Sequence, residues 1–89
     1  MLRITKFQEN GSSVILKLEG KVADQWAALL EGECRTLLRH RKLVELDFSG
    51  VDFIDQSGVE VLRSLPHKQV KFLNAPGHIE ELLGEGGRS

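Results

Sequence analysis

Tyrosine is absent from this 89-residue chain, and proline, cysteine, methionine and tryptophan are scarce, at two, one, one and one. The lone Cys34 excludes an intrachain disulfide, so the fold must be held by its core rather than by cross-links. No apolar run has the length of a signal-peptide core or a membrane span, and a cytoplasmic protein is expected. Neither sign of charge is in excess: 12 Lys and Arg stand against 13 Asp and Glu, for a formal net charge of -1. That balance, free of long like-charge blocks, selects neither nucleic acid nor an anionic membrane as a partner. The basic group Arg39-His40-Arg41-Lys42 reads as a solvated helix end, where cations complement the helix dipole. His40, His67 and His78, with one cysteine, lack the spacing of a metal site, and no Gly-x-x-x-x-Gly-Lys-Ser/Thr loop is present. No metal or cofactor is therefore expected.

What is present is a regular alternation of short apolar patterns. The length suits one domain with a single core, spanning 1–89, with the glycine-rich 84–89 as a disordered tail. Leu2 to Gln8 and Val14 to Glu19 alternate apolar and polar residues and predict two strands. Between them Asn10-Gly11 is expected to supply the positive-φ residues of a tight antiparallel hairpin, and Gly20 to end the second strand. From Asp24, a candidate N-cap, the period lengthens: Trp26, Leu29, Leu30, Cys34, Leu37 and Leu38 predict an amphipathic helix of about four turns. On that stripe Cys34 reads as a buried, inert thiol and Trp26 as core or core edge.

Leu43 to Phe48 has the apolar density of an interior strand, and Val51, Phe53 and Ile54 predict a loop that packs inward. Val59, Leu62 and Leu65 predict a second helix over Ser57–Leu65, stopped by Pro66. Val70 to Leu73 is a last short strand, and Pro76-Gly77 opens a third helix with Ile79, Leu82 and Leu83 as its apolar face. The order β-β-α-β-α-β-α predicts an α/β domain: an N-terminal hairpin, then a mainly parallel four-stranded sheet covered by helices.

The joint between the third strand and second helix, Asp55-Gln56-Ser57-Gly58, stands out. Local chemistry makes Ser57 an N-cap, whose hydroxyl satisfies one of the free first-turn N–H groups. A functional role is the alternative, because sites concentrate where strands of alternating α/β sheets lead into helices, and Gly58 leaves the adjacent backbone uncovered. A phosphate on Ser57 would add about 1.5 to 2 negative charges at the helix N-terminus, close to Asp55.

The stretches Leu16-Lys17-Leu18-Glu19-Gly20-Lys21-Val22 and Leu43 to Leu62 resemble the STAS domain family, which includes the bacterial anti-sigma factor antagonists. Asp47-Phe48-Ser49-Gly50-Val51, Phe53-Ile54 and Asp55-Gln56-Ser57-Gly58 match the family pattern in residue type and spacing. The resemblance implies a non-enzymatic switch in transcriptional signalling. An unmodified protein binds a serine kinase that is also an anti-sigma factor, and phosphorylation of Ser57 releases it. It implies partner contact through Asp24, Asp55, Gln56, Ser57, Gly58, Glu60 and Val61. Where the family carries Gly-x-Leu-Asp, this chain has Gly20-Lys21-Val22-Ala23 followed by Asp24, and Pro66 shortens the second helix.

Two further readings remain from the sequence. One is a constitutive STAS adaptor subunit, of a lipid-transport ATP-binding-cassette complex or a signalling assembly, in which Ser57 is only a helix cap. The other is an enzyme with Ser57 as nucleophile, which needs a nearby base. The order of elements puts His40 and His67 at the far ends of their helices, and there is no Gly-x-Ser-x-Gly elbow. A protein partner is expected rather than a small-molecule substrate.

Overall fold

The computed structural model describes residues 1–75 and 77. Two antiparallel strands open the chain: β1 (Leu2–Phe7) and β2 (Ser13–Val22), paired from Leu2 against Gly20 to Phe7 against Ile15. α1 (Gln25–Arg39) then crosses to β3 (Leu43–Ile54), and α2 (Gln56–Ser64) crosses to β4 (Val70–Leu73). The strand order is β1-β2-β3-β4, with β2, β3 and β4 mutually parallel. The expected α/β architecture is therefore present: one antiparallel strand on a parallel sheet. The predicted third helix and tail lie outside the described residues.

Two successive crossovers step in the same direction, so right-handed connections bring α1 and α2 to one face of the sheet. The burial pattern follows. Val14, Leu16 and Leu18 of β2 and Val44, Leu46 and Phe48 of β3 are fully buried on alternate positions. Ala27, Leu30, Cys34 and Leu37 close over them from α1, and Leu62 with Leu65 from the α2 end. Phe48 meets Phe72 of β4 edge to face, with ring centroids 5.6 Å apart. Cys34 sits in this core, and burial pushes its thiol up to about 12, which makes it inert.

Several local expectations are corrected. The hairpin does not use Asn10-Gly11 in positive φ; Gln8 adopts that conformation instead (φ 51°). Asn10 organises the turn through its side chain, whose Oδ1 accepts the N–H groups of Ser12 at 2.8 Å and Ser13 at 2.9 Å. Gly20 does not end β2: it lies inside the strand at φ 105°, beside a register shift, and a side chain there would overlap the carbonyl of Met1.

Residues 51–54 are strand rather than loop. Two residues are gained on β3 relative to β2, around Phe48–Ser49 and at Asp52, so β3 bulges while continuing to Ile54. Val51 is buried, but Phe53 is half exposed, with the Lys21 ammonium 5.8 Å from its ring centroid. On α1, Leu29 faces away from the core at 47% exposure, and the smaller Ala27 takes the interior position.

The far end of α1 also departs from a freely solvated cluster. Arg41 takes positive φ (61°) and the N–H of Lys42 returns to the Leu37 carbonyl at 3.2 Å, closing the helix. Lys42 bonds the Asn10 carbonyl and pairs with Glu9 at 3.6 Å, fastening α1 to the hairpin.

Asp47 braces the β3 bulge from the other side. Its Oδ1 accepts the Ser49 N–H at 2.9 Å and the Asn74 amide at 3.1 Å. The bond from the Ser49 backbone, with smaller help from Asn74 and Lys17, lowers its carboxyl below the ordinary value. A group with a lowered folded-state pKa contributes stability that is complete above the unfolded value, about 3.9, and fades as pH falls through the folded one. Asp47→Asn should therefore lower stability at neutral pH and converge on the wild type as pH falls below about 4, flattening the acid limb, as read by thermal unfolding across pH.

Candidate functional site

Asp55 ends β3 and begins α2. Its backbone is extended (φ -92°, ψ -175°), and its Oδ1 accepts the Gly58 N–H at 2.8 Å, which makes it the N-cap of α2. The second carboxylate oxygen accepts the backbone N–H of Asp24 at 3.0 Å. Asp55 also donates its own N–H to the Val22 carbonyl at 3.2 Å. One side chain thus ties the start of α2 to the turn between β2 and α1.

This corrects the expected cap assignments. Ser57 is the second residue of α2, exposed, and its hydroxyl has no hydrogen-bond partner among the described residues. The sequence offered two side chains of capping type two residues apart, and the bulged end of β3 places Asp55 at the turn first. Asp24 does not cap α1 either: its φ is 52° and its carboxylate makes no capping bond. Its contribution is the N–H that Asp55 receives.

Gly58 is buried rather than uncovered. A methyl group there would overlap the Val22 carbonyl oxygen and stand 2.7 Å from Ile54 Cγ2, so glycine permits α2 to start hard against β2. The residue matters as a close approach of backbones, and it offers no surface to a partner.

Between α1 and α2 runs an open groove of about 390 Å³, lined by Asp24, Ala27, Glu31, Ser57, Glu60 and Val61 among others. Its floor is small and apolar, and its rim carries three carboxylates. Of the residues expected to meet a partner, Asp24, Ser57, Glu60 and Val61 share this groove. Gln56 is exposed beside it with its amide on Glu60 at 3.2 Å, Asp55 is half buried as the cap, and Gly58 lies beneath.

Glu31 and Ser64 also line the groove and escaped the sequence reading. Each lies seven residues, two helical turns, beyond Asp24 and Ser57 respectively, and that period was the available signal. Arg35 reaches both, pairing with Glu31 at 3.1 Å and bonding Ser64 Oγ at 3.4 Å. His40 and His67 do not line the groove, and His78 lies outside the described residues.

The comparisons with known proteins agree with this architecture. The family described as "Mlab, STAS domain" matches residues 5–87. Among solved structures, the chain is similar to the anti-sigma factor antagonist SpoIIAA in its unphosphorylated form, with a TM-score of 0.76 at 13% identity, covering 92% of this chain and 82% of that one. It is also similar to part of a protein named Mglu, with a TM-score of 0.61 at 24% identity, covering 82% of this chain and 19% of that one. At these identities the likeness is one of fold. No curated protein matches the chain.

The capping geometry separates neighbouring residues by consequence. Asp55→Ala should cost about 1–2 kcal/mol of stability, since a cap and the tether to Asp24 are both lost, whereas Ser57→Ala should stay within about 0.5 kcal/mol. Gly58→Ala should destabilise more than Ser57→Ala despite its higher helix propensity. Urea unfolding of the three variants checks the order.

Proposed function

The chain belongs to the STAS domain family, and from that membership we propose that it is a non-enzymatic, cytoplasmic regulatory protein that docks a protein partner at the amino end of α2 and is switched by phosphorylation of Ser57. The partner is a serine kinase that also serves as an anti-sigma factor. One observation carries the reading: Asp55 caps the helix, so the exposed Ser57 hydroxyl has no structural task among the described residues. The likeness in fold to an anti-sigma factor antagonist that has an unphosphorylated form supports it.

The chemistry of the switch follows from the groove. A phosphoryl group on Ser57 Oγ would bring about 1.5 to 2 negative charges and a hydration shell to a surface rimmed by Asp24, Glu31 and Glu60. The first-turn N–H groups of Gln56 and Ser57, which have no partner among the described residues, are placed to hold part of that charge. The occupied groove then refuses the side chains that a partner inserts when the hydroxyl is free. Among the described residues no histidine lines the groove to activate Ser57 as a nucleophile.

A specific observation favours a second reading, a constitutive adaptor subunit of a transport or signalling complex. Among the described residues no cation lines the groove beside Ser57, the nearby Arg35 is engaged by Glu31 and Ser64, and carboxylates of the rim oppose a phosphate there. In this reading Ser57 is a surface contact, since the cap role assigned to it from the sequence belongs to Asp55.

Intact-mass measurement of the protein isolated from its own cells, with fragmentation to locate any modification, separates the two. The switch predicts a phosphate on Ser57 in some growth or stress condition, and Ser57→Asp should lose a co-isolated partner that Ser57→Ala retains. An unmodified serine throughout, with partner binding kept by a folded Ser57→Asp protein, would contradict the switch and favour the adaptor.

A further inference from the structure

β1 is an edge strand whose outer side no described residue pairs. Met1 bonds toward β2 through its carbonyl, which receives the Lys21 N–H at 2.9 Å. Antiparallel alternation then turns the backbone groups of Leu2, Ile4 and Lys6 outward. Beside this edge Leu2, Ile4, Lys6, Leu29 and Glu33 enclose an open depression of about 270 Å³ between β1 and α1. Its floor explains the exposed Leu29: the helix extends an apolar side chain past the last strand, where the sheet offers nothing to cover it. Lys6 and Glu33 have opposite charge and form no ion pair with each other or with any other described residue.

We propose that this edge is a homodimer interface, in which two copies pair β1 with β1 antiparallel about a two-fold axis at Ile4. The occupant must supply an extended strand with complementary side chains, and a second copy does so in one register. With Ile4 opposite Ile4, Leu2 faces the partner's Lys6 and Arg3 faces the partner's Thr5, so no like charges meet. An axis at Lys6 would oppose two ammonium groups, and an axis at Leu2 would leave too few pairs to form a ladder. In the Ile4 register the sheet continues through eight strands, and the two α1 helices lie on the same face of it, bringing each Leu29 toward the seam. The lysine stem lies along the partner's β1 while its ammonium stays at the solvent edge. The α1–α2 groove lies on the opposite flank of α1 and remains open in both copies.

Sedimentation velocity and light scattering over a concentration range up to about 0.5 mM test the proposal, because even a weak millimolar-to-micromolar association shows there. The expected result is a concentration-dependent dimer that Leu29→Glu weakens at least about tenfold, with circular dichroism unchanged, because the variant site is exposed in the monomer. The register has its own test: Ile4→Cys, in a background where buried Cys34 does not react, should form a disulfide-linked dimer on mild oxidation, since paired residues there bring Cα atoms to about 5.5 Å. Lys17→Cys, on the open sheet face, should not. A wild-type protein that stays monomeric throughout the range overturns the proposal. So does a dimer that Leu29→Glu leaves intact or that Lys17→Cys traps as readily as Ile4→Cys.

Discussion

The Asp55 carboxylate is the constraint on which the site depends. It receives one N–H from the first turn of α2 and one from the turn entering α1, so two strand-to-helix junctions are set by a single side chain. An ionised carboxylate accepting two backbone donors is among the stronger hydrogen-bonding arrangements available to a small domain. The close approach of Gly58 to Val22 serves the same end, since α2 must begin against β2 for the carboxylate to span both turns. Remove either and the junction at the amino ends of the two helices loosens, while the core and the Arg35–Ser64 bond still hold the helices on the sheet.

That arrangement divides labour among neighbours. Asp55 and Gly58 are spent on structure, while Ser57, one position from the buried glycine, is left exposed. The groove beside it combines small side chains with a carboxylate rim, a surface suited to a protein partner that brings its own larger side chains and cations. The charge of the whole chain, near zero, conceals this local excess. Under the proposed switch, a phosphate on Ser57 would alter the surface without disturbing the helix cap beneath it.

The fold was legible in the sequence because each element carries its own period: two for β1 and β2, three to four for α1, and an apolar burst for β3. The motif from Asp47 to Gly58 identified the family and the joint. What periodicity missed were features decided by strand pairing and side-chain hydrogen bonds rather than by apolar spacing. The bulges of β3 arise from its pairing with β2 and turned a predicted loop into strand. Asn10 looked like a positive-φ turn residue, yet its side chain satisfied the Ser12 and Ser13 N–H groups and left Gln8 to make the reversal. Ser57 looked like a cap because capping residues are read locally, and the competing Asp55 won through a second bond to Asp24, 31 residues away.

Hydrogen–deuterium exchange on the protein alone and in complex with a partner isolated from its own cells decides whether the partner docks at the amino end of α2. Docking there gives new protection over 24–31 and 56–64, the two segments that face the groove. Protection confined to the open face of the sheet or to the β1 edge, with both helical segments exchanging as in the free protein, would contradict it.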